Sequence, residues 1–317
     1  MTPDAQAILR SWSPPIAVNL ALFLAVLVYV TGWFRLRQVF PNLISNWRLA
    51  AFLSGVCLLW MAIGSPLEAF DDISLSAHML QHMLLMAVAP PLVLLGAPLL
   101  PLLRGLPRWM VRSMVGPVLC WTPLQWVARL LTQPAFCWVA ATAALIGWHI
   151  PAAFELALRS DSWHEVEHAC FFATSLLFWW PVVLPFPSDA RWPRWSTPLY
   201  LFLGTLPGGA LGAFLVFCDR VLYRTYASTP PLLSVSPFED QVIAGALMWV
   251  LGTVVYLIPA ILITIQLLSP LEPSDRSHNG VTSRHALGLA TQHTFTEVGL
   301  CGVGARIWRM GRRDWKI

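Results

Sequence analysis

The sequence has little charge. Only 11% of its 317 residues are Asp, Glu, Lys or Arg, against about 25% in a typical soluble domain. Hydrophobic residues make up 57% of the chain, and the mean hydropathy is +0.63. So few charged side chains cannot cover a globule with polar surface, which excludes a soluble globular protein. We therefore predict an integral membrane protein.

Other patterns are also missing. The apolar runs are continuous rather than alternating, which favours helical spans over a β-barrel. The six cysteines lack CxxC-type spacing, so we expect no cysteine metal site. The N-terminus lacks a basic stretch followed by a short apolar run and a cleavage site. We therefore expect no removable signal peptide, and the first span is expected to direct insertion.

Seven apolar segments approach the ~20 residues that a transmembrane helix needs. They lie at residues 16–34, 49–64, 75–95, 135–150, 168–184, 198–217 and 241–267. The predicted fold is an all-α integral membrane protein, a bundle of about seven transmembrane helices within residues 1–270. Residues 271–317 contain no long apolar run and many basic and small residues. They are predicted to form a basic, disordered cytoplasmic tail.

The basic residues predict the orientation of the bundle. With the N-terminus outside, the inner loops and the tail hold most of the 20 basic residues. The outer side keeps only Arg10, Arg159, Arg220 and Arg224. An excess of Lys and Arg marks the cytoplasmic side, so we predict the N-terminus outside and the C-terminus in the cytoplasm. The connection that carries Arg104, Arg108, Arg112 and Arg129 is predicted to lie along the membrane surface or to form a short hairpin.

Two histidines stand out in the third apolar segment. His78 and His82 are four residues apart, which places both imidazoles on one helical face, one turn apart. Met86 continues the same stripe one turn further. Polar rings are costly within a membrane unless they have a partner or a function. Histidine and methionine together are ligands that suit copper.

The predicted topology brings further histidines to the same outer face. His149 ends the fourth segment, and the pair His164 and His168 opens the fifth. The three remaining histidines lie in the tail without ligand-like spacing. Carboxylates also gather on the outer side and can orient imidazoles around a metal. The predicted metal ligands are His78, His82, His149, His164 and His168, with Met86 or Asp240 completing or supporting the site.

The kind of ligand stays open at this point. Copper fits five histidines and nearby thioethers, and Cu(I) is favoured over Cu(II) because thioethers are soft ligands. Residues 164–168 read His-Glu-Val-Glu-His, the H-E-x-x-H pattern of zinc metalloproteases. That reading is disfavoured because two other histidine groups share this face. A haem between the third and fifth helices, serving an oxidoreductase or electron carrier, is the alternative.

The same landmarks resemble the polytopic CtaG family of bacterial cytochrome c oxidase assembly proteins, which is unrelated to the single-span copper chaperone of that name. The resemblance covers roughly residues 65–260 and excludes the tail. Its motifs are residues 76–83 (Ser-Ala-His-Met-Leu-Gln-His-Met), 89–92 (Ala-Pro-Pro-Leu), 95–98 (Leu-Gly-Ala-Pro), 148–151 (Trp-His-Ile-Pro), 164–168, 177–181 (Leu-Phe-Trp-Trp-Pro), 222–226 (Leu-Tyr-Arg-Thr-Tyr), 240–245 (Asp-Gln-Val-Ile-Ala-Gly) and 248–250 (Met-Trp-Val).

The resemblance implies a seven-helix protein of the bacterial inner membrane that assembles a haem–copper oxidase by helping copper to reach it. The expected function is non-enzymatic. The expected partners are cytochrome c oxidase subunits and membrane lipids, with no nucleic acid. A metal-free assembly scaffold, whose histidines only bind partner subunits, is a further alternative.

Overall fold

The computed structural model describes residues 14–39, 45–183, 192–227 and 235–269. The predicted tail at residues 271–317 lies outside the described residues, as do Arg10 and Arg191. The main helices are α1 (Ile16–Val39), α2 (Asn46–Ile63), α3 (Leu75–Leu95), α4 (Leu99–Gly105), α5 (Thr122–Leu131), α6 (Pro134–His149), α7 (Pro151–Leu158), α8 (Asp161–Val183), α9 (Ser196–Phe217), α10 (Arg224–Ala227) and α11 (Pro237–Leu268). Shorter helical pieces are Pro66–Phe70, Arg108–Met110, Val111–Val115 and Gly116–Cys120.

The predicted spans correspond to helices. Within the described residues, six helices are long and apolar enough to cross a membrane, or seven if the bent pair α5 and α6 forms one span. These helices confirm the all-helical multi-pass architecture. The fifth span starts at Asp161, seven residues before its predicted start. A polar first turn, which hydropathy does not detect, accounts for the difference.

Helix α3 is the centre of the bundle. In its most apolar window 67% of the residues are buried, against 39% or less in the other single-helix spans. It packs against α2, α8 and α11. Burial on all sides means that any polar group on this helix must be satisfied by protein or by a ligand. The histidines of α3 therefore lie in the most enclosed part of the molecule.

A π-helical turn interrupts α3 at Leu84–Val88. Pro90 has no backbone N–H, so it cannot bond to the carbonyl of Met86 four residues earlier. A backbone hydrogen bond instead runs from the Ala89 N–H to the Leu84 carbonyl, five residues earlier, which makes the turn π-helical. The hydroxyl of Ser175 on α8 donates to the Met86 carbonyl. The proline thus opens the helix, and a neighbouring helix satisfies the exposed carbonyl.

Two helix crossings bring backbones into direct contact. A Cβ on Gly105 of α4 would lie 1.9 Å from the Val28 carbonyl oxygen of α1. A Cβ on Gly212 of α9 would lie 2.7 Å from the Gly245 carbonyl oxygen of α11. Small residues allow this close approach, which supports packing between helices in a membrane. These crossings hold α1 and α9 against the rest of the bundle.

The connection between α3 and α6 is helical. Its exposed side chains include Trp109, Trp121 and Trp126, at 62–65% exposure, and aromatic side chains of this kind favour the membrane–water boundary. The axis turns by 70° between α5 and α6. A helix that meets a span at this angle is consistent with the surface-lying segment that the sequence predicted.

Candidate metal centre

Three helix ends meet at one end of the bundle. The N-terminal half of α3 supplies His78 and His82, the last turn of α6 supplies His149, and the first two turns of α8 supply His164 and His168. The His78 ring centroid lies 4.2 Å from that of His82 and 5.3 Å from that of His164. Histidines that are up to 90 residues apart in sequence thus form one cluster.

His149 and His168 complete the group of rings. The His82 centroid lies 5.5 Å from that of His168 and 6.0 Å from that of His149. His164 and His168 are 4.1 Å apart on α8. The rings of Phe154 and Phe171 pack against His78 and His82 at 5.0 and 4.6 Å. The two phenylalanine rings thus form an apolar boundary of the histidine cluster.

The tightest subset combines imidazole and carboxylate. One ligand atom each from His78, His82, His164 and Glu167 lies within 4.8 Å of all the others. The Nε2 atom of His82 is 3.8 Å from Oε1 of Glu167. These separations exceed hydrogen-bond length, but they suit atoms that share one ion. His149, His168, Met86 and Asp240 lie outside this subset.

Most donor atoms of the cluster have no hydrogen-bond partner in the protein. Both ring nitrogens of His78 and of His82, both carboxylate oxygens of Glu167 and the Nε2 atoms of His164 and His168 are buried without a hydrogen bond. His78, His82 and Glu167 are 0% exposed. Buried polar groups in folded proteins are almost always hydrogen-bonded, and each orphan costs free energy. Several orphans aimed at one point are a donor set for a ligand.

His149 differs in that one of its nitrogens is engaged. Its Nδ1 lies 2.7 Å from the carbonyl oxygen of Leu145, so the proton is on Nδ1. Nε2 then carries the lone pair and is itself buried without a partner. A hydrogen bond on one nitrogen that fixes the other as an acceptor is the usual arrangement around metal-binding histidines.

Glu167 is a candidate ligand that the sequence analysis did not select. Glu165 and Glu167 both lie in the first two turns of α8. Glu165 is exposed, whereas Glu167 is fully buried. On a helix, Glu167 lies about 60° from His164 and about 100° from His168, and Glu165 lies about 100° from His164 and about 60° from His168. Helical phase therefore does not distinguish the two glutamates, and it is the packing of α8 in the bundle that buries Glu167.

Burial also bears on the H-E-x-x-H pattern. In that pattern the glutamate directly after the first histidine is the general base. Here that residue is Glu165, which is exposed, while the buried Glu167 comes three residues after His164. The acid at the catalytic position of the pattern therefore does not face the cluster, and the arrangement is unlike a zinc protease site.

Asp71 is a second carboxylate that sequence reasoning did not select. It follows the short helix Pro66–Phe70, is 3% exposed, and its Oδ2 lies 3.6 Å from Nε2 of His164. Burial, together with the neighbouring charge of Asp72, raises the pKa of Asp71 to about 8. The Tyr226 hydroxyl donates to the Asp71 carbonyl oxygen at 2.5 Å and fixes this turn.

Asp240 and Met86 have other surroundings. Asp240 accepts hydrogen bonds from the N–H groups of Leu75 and Ser76 and from the hydroxyls of Ser74 and Ser76. It therefore caps the N-terminus of α3, one turn before His78, where a carboxylate is favourable. Met86 is buried in the core with Met83 and Met248. Both residues adjoin the cluster without joining its tightest subset.

The donor chemistry fits a transition-metal cation. Three imidazoles and a carboxylate are borderline ligands that accept copper or zinc. A bound cation would favour the ionised forms of Glu167 and Asp71, whose negative charges would then offset the cost of taking the cation out of water. His164, with 17% of its side chain exposed, is the accessible edge, while His78 and His82 form the enclosed floor. The structure is thus a helical membrane bundle with a buried histidine–carboxylate cluster at one end.

Sequence comparison then gives the family. The profile of the family described as cytochrome c oxidase caa3 assembly factor, Caa3_CtaG, matches residues 27–269. This range covers most of the chain, and the protein belongs to this family of cytochrome c oxidase assembly factors. The match includes every histidine of the cluster. The resemblance seen in the sequence motifs is confirmed.

Curated relatives share the same region. An uncharacterized protein of Mycobacterium bovis is 26% identical over 306 residues, which is 90% of this chain and 43% of the relative. An uncharacterized protein of Mycobacterium leprae is 25% identical over 265 residues, 81% of this chain and 39% of the relative. The chain spans less than half the length of these relatives. No solved structure matches the chain.

Proposed function

We propose that this protein assembles cytochrome c oxidase by binding copper at the histidine–carboxylate cluster and passing it to the oxidase. The proposed ligands are His78, His82, His164 and Glu167, with His149 and His168 at the margin of the same cluster. Asp240 supports the site through the helix that carries two of the ligands. Copper is cargo here, so the protein acts on it without catalysis.

One observation carries this proposal: buried donor atoms from three helix ends converge without partners. A metal-free scaffold would gain nothing from burying these groups, since each unpaired group costs about 1–3 kcal/mol. A bound cation would satisfy several of them at once. The family's role in oxidase assembly supports cytochrome c oxidase as the recipient of the copper.

The arrangement favours a single ion over haem. Among the described residues the imidazole rings contact one another at centroid distances of 4.1–5.5 Å. Phe154 and Phe171 fill the adjacent space. A haem needs a slot between two axial ligands that is wide enough for the macrocycle. Rings packed against one another in this way leave space for an ion but not for a porphyrin.

We place the cluster on the periplasmic side of a bacterial inner membrane. The opposite end of the bundle is basic: the Arg35 guanidinium of α1 donates to the Arg104 carbonyl oxygen of α4 at 2.7 Å, with Arg108 and Arg112 nearby in sequence. Basic residues stay in the cytoplasm, so the histidine end faces outward. That orientation puts the N-terminus outside and the C-terminus inside, and exposes His164 to periplasmic copper.

Metal analysis of the purified protein tests the proposal. The full chain, purified in detergent and loaded with copper, should retain it, while His78→Ala and His168→Ala should lower the retained copper. His278→Ala, beyond the residues that match the family, is the control and should retain the wild-type amount. Copper content that both cluster substitutions leave unchanged would rule out this site. An absorption spectrum with a Soret band would instead favour haem.

A further inference from the structure

A second group of metal-binding side chains lies one turn beyond the histidines. Met83 and Met86 of α3 and Met248 of α11 line a single cavity of about 40 Å³. All three are buried, with exposures of 6%, 8% and 1%. The cavity has room for about one water-sized species. Thioether sulfur is a soft donor that selects Cu(I) over harder cations.

The backbone around the cavity is built to leave it open. Two of its lining residues, Gly208 of α9 and Gly252 of α11, have space beside them: a Cβ on Gly208 would meet its nearest neighbour at 3.9 Å, and one on Gly252 would meet nothing within 4 Å. Larger side chains could fill this space, yet the helices present glycine to it. Incomplete packing forfeits dispersion energy, so an unfilled volume beside three thioethers needs an explanation.

The π-helical turn places Met86 at this cavity. Met86 is the middle residue of Leu84–Val88, and such turns are rare and frequent at functional sites. The carbonyl released by Pro90 is taken by Ser175, so the irregular turn is held by a specific bond from α8. The distortion is therefore a stabilised feature of α3.

The cavity adjoins the histidine cluster. Met86 follows His82 by four residues, about 6 Å along the helix axis. Leu145 lines the cavity with its side chain, and its carbonyl accepts the hydrogen bond that orients His149. Met83, Met86 and Leu145 belong to the same core as Phe154 and Phe171, whose rings contact the histidines. An ion leaving the cluster would meet the thioethers within one helical turn.

We propose that Met83, Met86 and Met248 form a second site, specific for Cu(I), distinct from the histidine–carboxylate site. This inference rests on the proposed copper function and deepens it. Imidazole and carboxylate accept either oxidation state, whereas a site made only of thioethers selects the soft Cu(I) ion. The pair of sites would let the bundle carry two Cu(I) ions, one at each site.

The test is anaerobic titration of the full chain in detergent with Cu(I), read by metal stoichiometry and by X-ray absorption at the copper edge. Wild type should bind two Cu(I) per chain, with sulfur among the scatterers. The variant Met83→Leu/Met86→Leu/Met248→Leu should bind one Cu(I) and lose the sulfur signal. His78→Ala/His82→Ala should also bind one, but keep the sulfur. Met61→Leu, at an exposed position of α2, is the matched control and should behave as wild type.

Each outcome separates this inference from the proposed function. One Cu(I) per wild-type chain with no sulfur scattering overturns the methionine site and leaves the copper function standing. A triple variant that keeps two Cu(I) and the sulfur signal also overturns it. A wild-type chain that binds no copper overturns both proposals.

Protein grown with selenomethionine provides a second readout without any substitution, so misfolding of a variant cannot obscure the result. Copper–selenium scattering supports thioether ligation. Its absence in copper-loaded labelled protein overturns the methionine site.

Discussion

Two groups of polar side chains lie at the same end of the bundle, and they differ in whether their atoms have hydrogen-bond partners. Asp240, which is half-buried, accepts hydrogen bonds from four donor groups at the start of α3. Gln241, 0% exposed, accepts from the Leu222 N–H and donates to the carbonyls of Leu215 and Arg220. His78, His82 and Glu167, equally buried, make no hydrogen bond with their side chains.

The comparison separates structural polar groups from groups held for a ligand. A fully satisfied network rigidifies the fold, whereas a set of unsatisfied atoms is costly until something binds. Asp240 and Gln241 join α11 to α3 and to the loop before α10. The side chains of His78, His82 and Glu167 join no other element by hydrogen bonds. Substitutions in the first group should therefore change stability, and substitutions in the second should change metal binding.

The largest effect on stability is expected at Asp240. Asp240→Ala leaves two N–H groups and two hydroxyls without their charged acceptor, and we expect the free energy of unfolding to fall by about 2–4 kcal/mol. Chemical unfolding in detergent measures it. Asp240→Asn keeps a capping oxygen and should recover most of the loss. Wild-type stability of Asp240→Ala combined with lost copper would instead place Asp240 among the ligands.

Glu167 should show the opposite behaviour. Glu167→Gln keeps the shape but removes the charge, and we expect copper affinity to fall about 10–100-fold, with unfolding free energy equal to or above that of wild type. Competition with a Cu(I) chelator measures the affinity. Glu165→Gln, exposed on the same helix, should bind copper as wild type does. Equal losses for both variants would contradict a specific role for Glu167.

Ser175 tests the support of the π-helical turn. Ser175→Ala removes the donor to the Met86 carbonyl, and we expect a loss of about 1 kcal/mol in unfolding free energy. Thr174→Ala is the control, because Thr174 bonds only to carbonyls of its own helix and such bonds add little. Equal stability of Ser175→Ala and wild type would show that the turn needs no support from α8.

The smallest effect is expected at Glu155, which holds α7 to α10. Burial raises its pKa, but the hydroxyl and N–H of Thr225 lower it more, so the pKa of Glu155 lies below its usual value. A lowered pKa stabilises the fold above about pH 4.3 and loses this effect as the pH falls further. Glu155→Gln should cost less than about 1 kcal/mol at pH 7.

Thermal unfolding of wild type and Glu155→Gln across the acidic range tests the direction of this pH dependence. The two curves should differ at neutral pH and converge below pH 4. A difference that grows with acidity would contradict the assignment.

Hydropathy predicted the spans well because apolar length is a local property. Residues 75–95 form one helix as expected. Residues 135–150 correspond to α6, which reaches the length of a membrane span only together with α5. Hydropathy missed the first turn of α8, since Asp161 and Ser162 are polar. Within the site, spacing identified the histidines but not Glu167, because Glu165 and Glu167 lie symmetrically on either side of the two histidines of α8. Only the packing of α8 in the bundle buries Glu167.

Composition, periodicity and spacing are local properties, and they identify a helical membrane protein with three histidine groups at helix ends. Which donor atoms meet depends instead on how the helices pack. Asp240 lies 165 residues from Leu75 in the chain, and its capping role depends on α11 packing against α3. The meeting of Met248 with Met83 and Met86 depends on the same contact, which no local pattern specifies.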